Sequence, residues 1–198
     1  TLDDTNQKWN GAASMLFERA NTEDVNAPDS PVFDLDNFDF TWEAFAYAST
    51  LATDSRYTLI VNTDNANGSF IGFAIDNGAN NGLRFFYWNG SSSVVDLNQG
   101  SDFTNTGTWH HYAVTRQGDT FRIFIDGVLT ASLADTLELP NLSQVMRVGG
   151  YPAGSITYWD GNMTSIRITK GIARYTSAFT PPQRPFPTRR FVSGIIQP

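Results

Sequence analysis

The sequence predicts an all-β protein, a sandwich of two packed antiparallel sheets. Three observations predict it. Strand-like stretches recur at about eight- to twelve-residue spacing, divided by turn signals. Aromatic residues make up 14% of the chain and charged residues only 17%, with Gly, Asn, Asp, Ser and Thr abundant, a mixture that suits short strands joined by polar turns. No segment keeps a helical apolar period over several turns, so helix is limited to one or two short turns, with Gly171 to Tyr175 one candidate. At 198 residues the chain reads as one domain with enough length to bury a substantial core.

The elements follow in order. SMLFER (14–19) is short and apolar. DFTWEAFAYAS (39–49) alternates, with Phe40, Trp42, Ala44, Ala46 and Ala48 on one face. RYTLIVN (56–62), SFIGFAID (69–76), GLRFFYW (82–88) and SVVDL (93–97) come next. TWHHYAVTR (108–116) and TFRIFI (120–125) are joined by Gln117, Gly118 and Asp119. VLTASL (128–133), QVMRVGG (144–150) and NMTSIRITK (162–170) complete about eleven strands. Asp126-Gly127 suits a type I′ turn, in which both central residues need positive φ, and Asn89-Gly90 is a second turn signal of this kind. No internal repeat is visible.

Pro181, Pro182, Pro185 and Pro187 cannot donate to a ladder, so the sheet must stop before them. The segment is expected to run extended over the domain surface, anchored by Phe179 and Phe186. The domain is taken as residues 1–187, and residues 188–198 as an extended connector or docking arm.

The net charge is −7, unevenly placed. Residues 1–160 carry all 20 acids and 7 of the 13 bases, a net −13, while residues 161–198 carry 6 bases and no acid. An acidic body argues against a general nucleic-acid surface. The basic end is expected to pair with acids of its own domain or of a neighbouring subunit. There is no cysteine, hence no disulfide framework. No apolar run reaches membrane-span length and no secretory signal is visible. The chain begins at Thr1, compatible with a processed or excised piece, so the missing signal carries no weight on localisation.

LFERANTEDVNAPDSPVFDL, DFTWEAFAY, TWHHYAVTRQGDTFRIFIDGVL and YWDGNMTSIRITKGIARYTSAFTPPQRPFP together resemble the laminin G-like domains of the concanavalin A-like lectin and glucanase superfamily. The likeness spans roughly residues 14–187, and its proline-rich exit is similar to the version found in phage virion and marine bacterial surface proteins. The resemblance implies a jelly-roll sandwich. It also implies a choice among glycan binders, adhesion modules, structural domains and a few hydrolases, which fold alone does not make.

Glycosidases on this fold place catalytic carboxylates at alternate positions of one strand. Asp34 and Asp36 have that spacing but fall in a loop-like stretch, and none of the four glutamates, at 18, 23, 43 and 138, is paired so. No catalytic residue is therefore assigned. His110 and His111 are adjacent and face opposite sides of a strand, so they do not grip one metal together. A structural role is expected, with one imidazole bonded to backbone. The resemblance implies a calcium position between the opening strand pair and the closing strand. Here Glu18-Arg19 and Thr164-Ser165 replace the residues relatives carry there. Asp24 and Asp160 remain, and Arg19 would repel a cation. No metal or other cofactor is assigned, although calcium in the DNANGS or SPVFDLDNFD loops stays open.

Sugar sites pair an aromatic plate with Asn, Asp or Gln side chains. Two loops have that chemistry. GGYPAGSITYWDGN offers Tyr151, Tyr158 and Trp159 beside Asp160 and Asn162, and FFYWNGSSS offers Trp88 beside Asn89 and Ser91. Trp159, next to a turn, is the first choice for an exposed plate. Along GLRFFYW, Leu83, Phe85 and Tyr87 share one face and Arg84, Phe86 and Trp88 the other, and one face must be core. Trp42 and Trp109, inside strand patterns, are expected in the core. In the arm, Arg189, Arg190, Phe191, Ile195 and Ile196 form a basic and apolar patch suited to docking on a neighbour.

The expected function is a non-catalytic binding and assembly module. Its most specific form is a phage virion structural protein, either capsid decoration or tail-fibre adhesin, with weak glycan affinity. The alternative is a carbohydrate-binding or adhesion domain of a secreted bacterial protein, and a glycoside hydrolase stands third. Expected partners are other virion or surface proteins, further copies in a homo-oligomer and cell-surface glycans, without nucleic acid or membrane insertion. The expected place is the virion surface or the extracellular space.

Overall fold

In a computed structural model, residues 2–3, 8–11, 13–53, 55–64, 68–77, 82–101, 105–152 and 157–186 are described. The arm at 188–198, with Arg189, Arg190, Phe191, Ile195 and Ile196, lies outside the described residues.

Among the described residues thirteen strands, numbered in chain order, form two antiparallel sheets. One sheet has seven strands in the order β1 (Leu2–Asp3), β2 (Ser14–Phe17), β13 (Gly161–Lys170), β4 (Phe40–Ala48), β9 (Trp109–Gln117), β10 (Thr120–Ile125) and β11 (Val128–Ala134). The other has six, in the order β3 (Val25–Ala27), β12 (Met146–Val148), β5 (Arg56–Asp64), β6 (Ser69–Asp76), β7 (Gly82–Trp88) and β8 (Ser93–Asn98). The last strand, β13, inserts between β2 and β4, so the first and last strands share one sheet, as in a jelly roll. Every strand expected from the sequence is present. The additions are the two- and three-residue strands β1 and β3, too short to show a period.

The hairpin at Asp126-Gly127 has positive φ at both residues, 50° and 78°, as a type I′ turn requires. Asn89-Gly90 is built differently. Gly90 alone takes positive φ, 92°, while Asn89 Oδ1 accepts the N–H groups of Ser91 and Ser92, both at 2.9 Å. The helical turn falls at Arg19–Asn21 instead of 171–175. Residues 171–175 direct their polar groups across to the sheet: Gly171 N–H bonds Asp39 O at 2.6 Å, and Arg174 N–H bonds Thr41 Oγ1 at 2.9 Å.

The core lies between the sheets. Phe40, Trp42 and Phe121 of the larger sheet surround Phe85 of the smaller one at centroid distances of 5.6, 5.9 and 5.7 Å. Trp42 is fully buried as expected, whereas Trp109, at the first residue of β9, is half-buried beside Tyr47.

β4 is buried on both faces almost throughout, which a two-layer sandwich does not explain. Residues 171–186 supply a third layer. Tyr175 and Phe179 stack face to face at 3.6 Å, and Phe179 meets His111 and Phe124 edge-on at 5.6 and 5.4 Å. Phe186 packs near Phe45 at 6.2 Å with the Arg167 guanidinium 3.9 Å above its ring, and Trp9 stacks on Phe45 at 3.8 Å. Phe179 N–H also bonds Gly127 O at 2.9 Å, so the hairpin glycine doubles as a crossing point for this strap. Some of the bases at this end meet acids of the domain: Arg167 pairs with Glu43 at 2.7 Å and Lys170 lies 3.8 Å from Asp36.

Candidate functional site

The outer face of the six-stranded sheet carries a pocket of about 390 Å³, lined by Arg56, Phe70, Arg84, Phe86, Trp88, Ser93 and Asp96. Its volume lies in the range of small-molecule sites. Strand alternation builds it. Arg84, Phe86 and Trp88 share one face of β7, while Leu83 and Phe85 point into the core. Their partners across the ladder are Ala74, Gly72 and Phe70 on β6 and, on the other side, Asn98, Asp96 and Ser93 on β8. A register shift between Tyr87 and Trp88 sets Ser93 opposite Trp88.

The floor is aromatic. Phe86 meets Phe70 edge-on at 5.4 Å, and Phe70 meets Tyr151 at 4.8 Å. The Phe86 ring lies where a side chain at position 72 would stand: a Cβ on Gly72 would come within 2.8 Å of it. Burial raises the pKa of the Tyr151 phenol above its ordinary 10.0, with Arg147 pulling the other way, so this hydroxyl stays a neutral donor at physiological pH.

Over the floor runs a chain of alternating charges. Arg56 Nη2 bonds Asp76 Oδ2 at 2.9 Å, and Arg84 Nη1 lies 3.3 Å from the same oxygen. Arg84 then grips Asp96 with Nε and Nη2, both at 2.7 Å, and bonds Ser93 Oγ at 3.0 Å. Both guanidiniums sit over the Phe86 ring, at 4.2 Å for Arg84 and 4.9 Å for Arg56. Arg84 is 4% exposed, so its charge is tolerated only because its donors meet two carboxylates and a hydroxyl.

Of the sugar-site residues expected from the sequence, the structure brings two together here. Trp88 lines the pocket and is half-buried, and Tyr151 packs against the same aromatic cluster. Trp159 is corrected: it is 0% exposed, meets Tyr57 edge-on at 6.3 Å and bonds Tyr47 O through Nε1 at 3.3 Å, so it presents no plate to solvent. Proximity to a turn misled because β13 enters the sheet centre immediately afterwards and carries Trp159 into the core. Tyr158 is also buried, against the bare backbone of Gly150. Asp160 accepts the Thr50 hydroxyl at 2.5 Å, and Asn162, 2% exposed, bonds Ser14 Oγ at 3.0 Å. Sequence reasoning missed Arg56, Phe70, Ser93 and Asp96. The signal for them was the alternation of GLRFFYW, read together with the paired strands on either side.

The histidines are held by side chains. His111 Nε2 lies 3.1 Å from Glu43 Oε2, so the expected backbone partner for its ring is replaced by a carboxylate. His110 joins Asp126 at 2.6 Å and Thr108 at 2.9 Å. At the expected calcium position, Asp24 accepts Arg147 Nη1 at 2.5 Å, and Arg19 turns to Tyr57 and Ser55 at 2.8 and 3.2 Å. Among the described residues no three Asp, Glu or His side chains converge on a point that would hold a metal. No described helix is long and apolar enough to cross a membrane.

Known structures share this architecture. Domain 4 of the extracellular arabinanase AbnA from Geobacillus stearothermophilus, solved with arabinotriose, superposes with a TM-score of 0.66 at 16% identity, over 86% of this chain and 74% of that one. Mouse laminin α1 domains LG4-5 give 0.58 at 14% identity, over 84% and 43%. The binding domain of Paraclostridial mosquitocidal protein 1 gives 0.52 at 14% identity, over 91% and 43%. At such identities the likeness concerns the fold. No curated protein sequence matches. The laminin G-like family model described as the concanavalin A-like lectin/glucanases superfamily matches residues 19–173, and the chain belongs to that family.

Proposed function

We propose that the protein is a non-catalytic carbohydrate-binding module that holds a glycan in the pocket above Phe86. One observation carries the reading: a half-buried tryptophan, Trp88, stands beside Arg56, Ser93 and Asp96 in a pocket of sugar-sized volume. Sugars present an apolar C–H face for the ring and hydroxyls for the polar side chains. The arabinanase domain, solved with a bound oligosaccharide on the same fold, supports the reading by analogy. A hydrolytic role is disfavoured by the same geometry. Glycosidases need one carboxyl held as an acid, whereas Asp96 accepts two guanidinium N–H groups and Asp76 accepts from two arginines.

The module belongs on a secreted, cell-surface or virion protein, where glycans are met. Its more specific role in a phage particle, as decoration or tail-fibre adhesin, would add contacts from the arm at 188–198 to neighbouring copies. The pocket makes the glycan reading the stronger of the two.

The test is a pair of variants on a glycan array. Trp88→Ala should lose glycan binding and keep its Tm. Trp159→Ala should lose about 3 kcal/mol or more of stability, as buried tryptophans do. Undiminished binding by Trp88→Ala would sink the proposal.

A further inference from the structure

We infer that the pocket selects uncharged glycans carrying neighbouring hydroxyls, and rejects uronate and sialate sugars. The inference rests on the glycan-binding reading and adds the ligand class. It comes from how the charges over Phe86 are spent.

Arg56, Asp76, Arg84 and Asp96 alternate in sign along one row across β5, β6, β7 and β8, two positive and two negative. The row carries no net charge for an anion to neutralise. Arg84, the buried cation, has its Nε, Nη1 and Nη2 groups all bonded to protein acceptors. A sugar carboxylate could reach it only by displacing Asp96, Asp76 or Ser93, and in each case would stand beside at least one aspartate carboxylate. Arg56 uses Nε and Nη2 on Asp76 and keeps Nη1 uncommitted among the described residues. The side chain of Asp96 is 33% exposed, and each of its oxygens retains a lone pair after the bonds to Arg84. Ser93 Oγ accepts from Arg84, so its own hydrogen remains to be donated.

The available groups are therefore one set of N–H donors, one hydroxyl donor and one carboxylate acceptor, next to an indole. Each sugar hydroxyl is both donor and acceptor, so two adjacent hydroxyls satisfy Asp96 together with Arg56 or Ser93. A carboxylate can satisfy Arg56 or Ser93 but is repelled by Asp96. The body reinforces this at longer range, since residues 1–160 hold 20 acids against 7 bases.

The test titrates the whole protein with neutral oligosaccharides (arabinotriose, xylotriose and galactotriose) and with acidic ones (trigalacturonate and sialyllactose), at low and high sodium chloride. The expected result is binding of at least one neutral trisaccharide with an affinity that salt leaves unchanged, and acidic sugars bound about tenfold more weakly or not at all. Tighter, salt-sensitive binding of an acidic sugar, still lost in Trp88→Ala, would overturn the inference and leave the glycan-binding reading standing. Binding of neither class would overturn both. Asp96→Asn removes the repelling charge and should lower neutral-sugar affinity while raising that for trigalacturonate. Should that variant unfold because Arg84 loses a partner, Arg56→Gln leaves every bond of Arg84 in place. It should weaken neutral-sugar binding several-fold without gaining the acidic ligand, and unchanged binding by it would count against the inference.

Discussion

The hydroxyl of Tyr175 on the C-terminal strap donates a 2.8 Å hydrogen bond to the carboxylate of Glu43, fully buried in the middle of β4. Glu43 also accepts from Arg167 at 2.7 Å and faces His111 at 3.1 Å, so one carboxylate ties the strap, the closing strand and β9 together. Burial alone would raise its pKa. The bonds from His111, Arg167 and Tyr175 outweigh that and hold it below its ordinary 4.5. A carboxyl lowered in the folded state adds stability that is fully present above pH 4.5 and is lost as pH falls through the lower, folded value. Melting the protein from neutral pH down into the acid range should show Tm falling below about pH 4.5. Glu43→Gln should start about 3 kcal/mol less stable at neutral pH, a drop of roughly 10 °C. It should also lose part of the acid dependence. Identical pH profiles for the two proteins would remove Glu43 as the group responsible.

The strap is expected to be part of the fold and the arm dispensable to it. Ending the chain after Lys170 would uncover Phe45 and Phe124 and take the Tyr175 hydroxyl from Glu43, leaving the apolar outer face of β4 and β10 open to water. That variant should be insoluble or should bind a hydrophobic dye, whereas one lacking residues 188–198 should keep its Tm. If the arm docks on neighbouring copies, the second variant should remain folded and lose assembly. Light scattering alongside thermal melts separates these outcomes, and a soluble, cooperatively folded chain ending at Lys170 would refute the role given to the strap.

Much of this fold was legible because period-2 patterns and turn chemistry act locally. GLRFFYW announced its two faces, and Asp126-Gly127 announced its turn. The third layer was only half legible. The prolines stopped the sheet and Phe179 and Phe186 were visible as anchors, but nothing local indicated that Tyr175 would reach Glu43 132 residues away. The site was less legible still. An aromatic beside a turn and an aromatic ending a strand look alike in sequence, so Trp159 and Trp88 could be ranked only once tertiary packing placed one in the core and the other at a pocket. The charge row was hidden for a related reason. Arg56, Asp76, Arg84 and Asp96 come from four strands and meet only when the register is set.

The carboxylates left at the expected calcium position already have protein donors, Arg147 for Asp24 and Thr50 for Asp160. A cation there would have to displace a guanidinium. Adding a chelator to the purified protein should therefore leave Tm unchanged, and adding calcium after chelation should not raise it. A calcium-dependent shift of several degrees would place a stabilising ion in the domain and direct the search to the loops around residues 30–39 and 64–69.

Gly72 offers the most selective probe of the pocket floor. It stands opposite Phe86 in the ladder, and a Cβ there would fall 2.8 Å from the Phe86 ring carbons Cε1 and Cζ. Its φ is not in the left-handed region, so alanine meets no backbone objection and its whole effect is steric. Gly72→Ala should push the Phe86 ring upward, into the space between Arg56 and Arg84. Overpacking of this kind costs about 2 kcal/mol, small enough for the protein to remain folded. Because Phe86 underlies both guanidiniums, the donors and the acceptor above it should lose their spacing, and glycan affinity should fall well before stability does. Titration and melting of the same preparation measure both quantities. A variant with full affinity and an intact Tm would mean that the Phe86 ring has room to yield, and that the floor does not set the geometry of the site.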